Sequence, residues 1–194
     1  MTDTPRVLIV GDSISIGYTP PAAELLAGEA ELTHNPGNGG DSDNVLANMD
    51  AWLAEAGADV VHLNCGLHDL KVARDTRAHQ VPLERYRRNL TEIARRLAAC
   101  GALPVWASST AVIDARHNAV KEFDRHNADV DAYNAAAGEI MLAAGIRTND
   151  LHGAAIAAGI ETIVCDDGVH MTDGGYAILA QAVADCIRKA LAGK

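Results

Sequence analysis

Short apolar runs alternate with longer amphipathic stretches along the whole chain. The first run, Val7-Leu8-Ile9-Val10, is brief and rich in Val and Ile, which is typical of a buried parallel strand rather than a helix. Similar runs recur at intervals that leave room for a helix between each pair. The predicted strands are residues 6–10, 31–34, 60–64, 104–107 and 146–148.

The stretches between these runs carry helical patterns. In residues 83–99, apolar side chains recur on one stripe and five arginines occupy the solvent-facing side. The other predicted helices are residues 21–26, 45–56, 130–144 and 174–191. Alternating strands and helices imply right-handed crossovers and a parallel sheet. We therefore predict a flavodoxin-like, three-layer α/β/α sandwich with about five parallel strands.

Length, charge and cysteine usage limit the class of protein. With 194 residues, 48% of them apolar, we expect residues 1–194 to form a single domain around one core. The net charge of −10 argues against nucleic acid and against an anionic membrane surface as partners. The four cysteines form no Cys-x-x-Cys pair, so reduced thiols are expected. No apolar segment is long enough for membrane insertion, and the polar start lacks a signal peptide, so we expect a cytoplasmic protein unless a leader was removed.

Residues 108–127 interrupt the alternating pattern. They carry many charged side chains and few apolar anchors, and they follow a predicted strand end. Long loops at that edge of a sheet often shape substrate pockets. A solvated excursion with a short helix fits the same composition.

The tripeptide Gly11-Asp12-Ser13 follows the first predicted strand directly. Ser13 is therefore expected at the carboxyl edge of the sheet, where open α/β sheets bind their ligands. Taken alone, the tripeptide fits a helix cap as well as a nucleophile. A serine hydroxyl needs a base to take its proton, and that base must be oriented by a third group.

Asp167-Gly168-Val169-His170 contains a base and an orienting carboxylate three residues apart. In a turn, this spacing lets the Asp167 carboxylate hold one nitrogen of the His170 ring and leaves the other free to face Ser13. A helix-start cap beside a surface histidine would have the same spacing.

An oxyanion site needs preorganised N–H donors. The Gly- and Asn-rich loop at residues 35–42 makes the Gly40 N–H a candidate, although an ordinary turn has the same composition. The segment Asn64-Cys65-Gly66-Leu67-His68-Asp69, after the third predicted strand, is the other candidate.

Together these four places resemble the conserved blocks of the SGNH (GDSL-type) hydrolase family, in the same order across nearly the whole chain. Gly11-Asp12-Ser13-Ile14-Ser15 is similar to the nucleophile block, and Gly40-Asp41 to the glycine block. Gly66-Leu67-His68-Asp69 stands in the place of the Gly-x-Asn-Asp block, and Asp167-Gly168-Val169-His170 matches the final Asp-x-x-His block.

The resemblance implies a role for each residue. Ser13 is the implied nucleophile, His170 the general base and then acid, and Asp167 the orienting carboxylate. The Ser13 and Gly40 N–H groups are the implied oxyanion donors. His68 stands where the family has asparagine, and a neutral imidazole can donate the same hydrogen bond if Asp69 or a backbone carbonyl fixes its tautomer. His68 can also be a packed histidine with no such role.

Two other kinds of site are disfavoured. No Gly-x-x-x-x-Gly-Lys or Gly-x-Gly-x-x-Gly pattern follows the first strand, so a phosphate cradle is not expected. His62, Cys65, His68 and Asp69 suggest a metal cluster, but strand alternation directs His62 and Cys65 to opposite faces. We therefore predict no metal and no cofactor.

The sequence thus predicts a serine-dependent carboxylic ester hydrolase that acts through an acyl-enzyme. The predicted rim is polar, which favours a short acyl group, such as acetyl, on a polar alcohol such as a carbohydrate. The predicted substrate-binding residues are Asp12, Asn38, Arg116 and His117. A thioesterase or lysophospholipase, and an inactive binding protein of the same fold, are the alternatives.

Overall fold

The structure, a computed structural model, describes residues 4–193. Its strands are β1 Arg6–Val10, β2 Glu31–His34, β3 Val60–Leu63, β4 Val72–Ala73, β5 Leu103–Ala107, β6 Phe123–Asp124 and β7 Arg147–Asn149. Its helices are α1 Ser13–Leu25, α2 Ser42–Ala56, α3 Leu83–Ala99, α4 Asp114–Val120, α5 Asn127–Ala143, α6 Leu151–Ala158, α7 Ile160–Ile163 and α8 Asp173–Leu191.

The main sheet has five parallel strands in the order β2-β1-β3-β5-β7. Val7 of β1 pairs with Leu32 on one side and Val60 on the other, so β1 and β3 lie centrally. Helix α8 packs against α1 and α6, while α3 packs against α2 and α5. The predicted three-layer α/β/α arrangement with five parallel strands is confirmed.

Helix caps, rather than apolar periodicity, set the helix starts that the sequence pattern misplaced. Helix α1 begins at Ser13 instead of residue 21, because the Asp12 side chain accepts a hydrogen bond from the Ile14 N–H at 3.0 Å. Helix α2 begins at Ser42 instead of residue 45, because Asp41 caps it through the Asn44 N–H at 3.0 Å. Helices α6 and α7 were not predicted at all.

The segment at residues 108–127 contains both a short helix and a strand. Helix α4 lies within it, and β6 pairs antiparallel with β4, joining Val72 to Asp124 and Ala73 to Phe123. These two-residue strands are too short to produce a visible alternation in the sequence.

All four cysteines are free thiols. In residues 4–193, no helix has the length and apolar character needed to cross a membrane.

Candidate active site

The turn from β1 into α1 presents Ser13 at the carboxyl edge of the sheet. Gly11 leaves no room for a side chain, since an added Cβ would lie 2.5 Å from the Ser15 Oγ. The Gly11 N–H donates to the Asn35 side chain at 2.8 Å, and its carbonyl accepts from the Gly39 N–H at 2.8 Å. These bonds tie the Ser13 turn to the loop that carries Gly40.

Ser13, His170 and Asp167 form a continuous chain of hydrogen bonds. The Ser13 Oγ lies 2.8 Å from the His170 Nε2, and the His170 Nδ1 lies 2.5 Å from the Asp167 Oδ2. The Asp167 Oδ1 accepts from the Val169 and His170 backbone N–H groups at 3.1 and 2.9 Å. Partial burial opposes the charge on Asp167, but the hydrogen bonds from the His170 ring and from these two N–H groups outweigh it and hold its pKa at about 2.

A tight turn keeps the Asp167–His170 pair in place. Gly168 has a φ of +72°, and an added Cβ would lie 2.5 Å from the His117 nitrogen and 2.6 Å from the Ile113 oxygen. The Gly168 carbonyl accepts from the Ile113 N–H at 2.8 Å, at the start of α4. The close approach and the positive φ both require glycine at this position.

The three predicted oxyanion donors differ in the hydrogen bonds that they make in this structure. The Ser13 N–H belongs to the first residue of α1, where backbone N–H groups have no partner within the helix. The Gly40 N–H already donates to the side chain of Asn38 at 2.9 Å, with Gly40 at a φ of +65°. The Gly40 N–H is therefore occupied by the Asn38 side-chain oxygen in this structure.

The His68 ring carries its proton on Nε2. The Lys71 Nζ lies 3.0 Å from the His68 Nδ1, and because an ammonium only donates, Nδ1 is the acceptor and Nε2 bears the proton. Nε2 lies 3.8 Å from the Asp12 Oδ2. Burial, aided by Lys71 and Arg125 and opposed by Asp12, lowers the His68 pKa to about 4, so the ring is neutral at physiological pH.

The expectation that Asp69 or a backbone carbonyl fixes the His68 tautomer is wrong, because Lys71 makes that contact. Asp69 is buried and accepts from the Ser42 N–H at 3.0 and 3.1 Å and from the Ser42 hydroxyl. Burial raises the Asp69 pKa to about 7, against the lowering effect of the Ser42 hydrogen bonds. Asp69 thereby joins its loop to the start of α2.

A cavity of about 310 Å³ opens in front of Ser13 and His170. Asp12 and Asn38, two of the four predicted substrate-binding residues, line it together with His68. Its other lining residues are Leu67, Lys71, Lys121, Phe123, Arg125 and Val169. None of these six was predicted as a site residue, although Lys121, Phe123 and Arg125 lie in the segment at residues 108–127.

Arg116 and His117, both predicted to contact substrate, are not among the residues that line this cavity. The Arg116 guanidinium donates to the Glu161 carboxylate at 2.8 Å and to the Val164 carbonyl at 3.0 Å. His117 is fully buried, with its Nε2 3.0 Å from the Arg125 Nη1. It therefore supports a lining residue from behind.

The residues considered for a metal site are dispersed. His62 is buried and its Nε2 lies 3.0 Å from the Asn149 side chain, whereas His68 faces the cavity. In the part of the chain that the structure describes, no group of three or more His, Cys, Asp or Glu side chains is arranged to hold a metal ion.

A parallel α/β sheet with linked Ser, His and Asp side chains at its carboxyl edge is an arrangement typical of serine hydrolases. The profile of the GDSL-like lipase/acylhydrolase family matches residues 9–178, so the chain belongs to that family. Membership confirms the resemblance noted in the sequence and makes the chain a carboxylic ester hydrolase.

Solved structures share the fold. A lipase/acylhydrolase from Enterococcus faecalis superposes with a TM-score of 0.82 at 16% identity, covering 96% of each chain. The acetyl xylan esterase AlAXEase has a TM-score of 0.76 at 17% identity, covering 94% of this chain and 99% of that one. An acetyl xylan esterase from Geobacillus stearothermophilus has a TM-score of 0.75 at 16% identity, covering 96% and 94%. No curated protein sequence matches the chain significantly.

Proposed function

We propose that this protein hydrolyses short-chain carboxylic esters, acetyl esters above all, of a polar alcohol such as a carbohydrate, through an acyl-enzyme on Ser13. The observation that carries the proposal is the hydrogen-bond chain from the Ser13 Oγ through His170 to Asp167, at 2.8 and 2.5 Å. Those distances allow proton transfer without rearrangement. The net charge of −10 favours a dissolved small ester over an anionic surface as substrate.

In the first half-reaction, the Ser13 Oγ attacks the acyl carbon while its proton passes to the His170 Nε2. Asp167, ionised because its pKa is about 2, stabilises the imidazolium that forms. The tetrahedral intermediate collapses as His170 gives its proton to the departing alkoxide. In the second half, His170 takes a proton from a water that attacks the acyl carbon, and it returns that proton to the Ser13 Oγ as the bond between Oγ and the acyl carbon breaks and the acid is released.

The developing oxyanion would be held by the Ser13 and Gly40 N–H groups and by the His68 Nε2–H. His68 would act as a neutral donor in place of an asparagine amide, because its pKa of about 4 keeps the ring uncharged. The Gly40 N–H would become available when the oxyanion replaces the Asn38 side chain that it now contacts at 2.9 Å. Each such donor lowers the barrier by several kcal/mol in a partly dry site.

The cavity supports a short acyl group. Of its eleven lining residues only Leu67, Phe123 and Val169 are apolar, which leaves little surface to hold a long acyl chain. Two proteins of the same fold are named as acetyl xylan esterases, so the fold is compatible with removing acetyl groups from a carbohydrate. A thioester can reach the same serine, and the relative rates on matched acetyl esters and thioesters decide between the two.

Labelling with a fluorophosphonate probe tests the nucleophile. Wild type is expected to be labelled and Ser13→Ala to be unlabelled. Ser15→Ala is the matched control, because Ser15 lies in the same first turn of α1 but its hydroxyl donates to the Asp12 carbonyl at 2.8 Å. An unlabelled wild type would favour the inactive binding protein.

A series of p-nitrophenyl esters tests the acyl group. Faster turnover of the octanoate than of the acetate would exclude the short-acyl proposal.

A further inference from the structure

The cavity in front of Ser13 is positively charged in a protein that is acidic overall. The chain carries 26 acidic and 16 basic residues, yet three cations, Lys71, Lys121 and Arg125, line this cavity. Asp12 is its one lining carboxylate, and that side chain already caps α1 through the Ile14 N–H. The catalysis proposed above uses none of the three cations directly, so their concentration here requires another explanation.

Arg125 is the most informative of the three because it is buried without a salt-bridge partner, and Asp12 and Asp167 stabilise its charge only from beyond salt-bridge distance. Its side chain is 5% exposed, and its guanidinium donates to the Leu67 carbonyl at 2.7 Å and contacts the His117 Nε2 at 3.0 Å. Both partners are neutral acceptors. Among residues 4–193, no carboxylate lies within 4 Å of the guanidinium nitrogens. Its Nη2 makes no hydrogen bond to the described residues.

A buried charge is costly unless it is paired, so an unpaired arginine at a cavity wall indicates an anionic ligand. Burial lowers the Arg125 pKa to about 10, which still leaves the guanidinium charged at neutral pH. The Phe123 ring packs beneath it, with the guanidinium carbon 5.1 Å from the ring centre, and so restricts its orientation. The Arg125 guanidinium is therefore held in one orientation, and its Nη2 has N–H groups available for a ligand.

The two lysines add to the field from the sides. The Lys71 Nζ lies 5.0 Å from the centre of the Phe123 ring and contacts His68, with no carboxylate within 4 Å among the described residues. The Lys121 Nζ is 3.8 Å from the Asp167 Oδ2, a distance that leaves its hydrogen bonds available. Arg125 and Lys71 thus flank one ring at the cavity wall, within the same small cavity as Ser13.

We infer that the alcohol part of the substrate carries an oxyanionic group, a carboxylate or a phosphate, that Arg125 binds with help from Lys71. The inference rests on the proposed function: an acetyl group has no further charge, so the anion must belong to the alcohol. Arginine suits both groups, because its planar fork of donors matches carboxylate and phosphate oxygens. An acetylated acidic sugar or an acetylated sugar phosphate has the required chemistry.

Three acetyl esters that differ in one substituent test this inference. They are p-acetoxybenzoate, p-acetoxyphenyl phosphate and the neutral p-acetoxybenzamide. We expect Arg125→Gln to lower the kcat/KM ratio of an anionic ester to the neutral one by about tenfold to a hundredfold. The ester with the larger fall identifies carboxylate or phosphate. Arg77→Gln is the matched control, because it removes a charge from the same region but bonds Asp124 and does not line the cavity.

Equal ratios in wild type and Arg125→Gln would overturn the inference while leaving the ester hydrolase intact. Calorimetry on the wild-type protein gives an answer that does not depend on a folded variant or on turnover. There, p-hydroxybenzoate or p-hydroxyphenyl phosphate should bind at least about tenfold more tightly than p-hydroxybenzamide. Equal affinities would overturn the anion site. If none of the three esters is hydrolysed, the proposed function fails, whatever the calorimetry shows.

Discussion

Replacing His68 by alanine removes one of three proposed oxyanion donors and leaves the two backbone N–H groups. Removal of one such donor typically costs about 2.7–4 kcal/mol. The His68 ring is neutral and its side chain is 21% exposed, so water screens it in part. We therefore expect about 2 to 3.4 kcal/mol, which is a fall in kcat of roughly 30- to 300-fold.

The assay is steady-state hydrolysis of p-nitrophenyl acetate by wild type, His68→Ala and His68→Asn. Asparagine supplies an amide N–H, so it should recover most of the lost kcat, whereas KM should change little in either variant. Since the His68 pKa is about 4, the wild-type to alanine ratio should stay constant from about pH 6 to pH 9.

Two results would refute this reasoning. The first is a kcat for His68→Ala within about threefold of wild type, which would return His68 to a packing role. The second is an equal loss in the alanine and asparagine variants, which would mean that donation is not the property that matters. Thermal unfolding of each variant separates both results from misfolding.

Three further perturbations have definite expected outcomes. Asp167→Asn should lower kcat about ten-thousandfold, through loss of the orienting carboxylate, with little change in Tm by calorimetry. Gly168→Ala should destabilise the protein by about 1–3 kcal/mol in urea unfolding, because the residue has a positive φ and the added Cβ would lie 2.5 Å from the His117 backbone nitrogen. Gly138→Ala is the control: the space around Gly138 in α5 is open, so this change should stabilise the protein. The raised Asp69 pKa of about 7 means that the folded state holds a proton that the unfolded state releases near pH 4, so the Asp69 contribution to the free energy of unfolding should fall from pH 4 to pH 7 by up to about 4 kcal/mol. The lowered pKa values of His62 and His68 act in the opposite direction, so the quantity to measure is the difference between wild type and Asp69→Asn, which should fall over this range. A difference between wild type and Asp69→Asn that stays flat or rises over this range would contradict the Asp69 assignment.

The fold was predictable because burial leaves a direct trace in the sequence. Buried parallel strands appear as apolar runs, continuous from Val7 to Val10 in β1 and interrupted only by His62 in β3, and a half-buried helix such as α3 appears as a stripe. Helix α1 shows neither over its first turns, where Ser13, Gly17 and Thr19 interrupt any apolar period. Its start depends on the Asp12 cap, a single hydrogen bond that periodicity does not reveal.

The candidate site was predictable where its residues lie in contiguous blocks. Gly11 to Ser13 and Asp167 to His170 are local motifs, and parallel topology alone brings their strand ends together. The direction of a side chain within a loop could not be predicted from the sequence. Arg116 and Arg125 occupy the same polar segment, yet Arg116 turns to Glu161 and Arg125 to the cavity. The contact of Lys71 with His68 likewise depends on a turn whose shape comes from tertiary packing.

The bond between the Gly168 carbonyl and the Ile113 N–H has a consequence for engineering. It fastens the His170 turn to the start of the stretch that later contributes Lys121, Phe123 and Arg125 to the cavity. His170 and the residues that would select the substrate are therefore linked to each other through this backbone hydrogen bond. We therefore expect that a chimera made to exchange specificity will need residues 164–171 as well as residues 108–127 from the same donor protein, so that His170 stays aligned with the cavity wall.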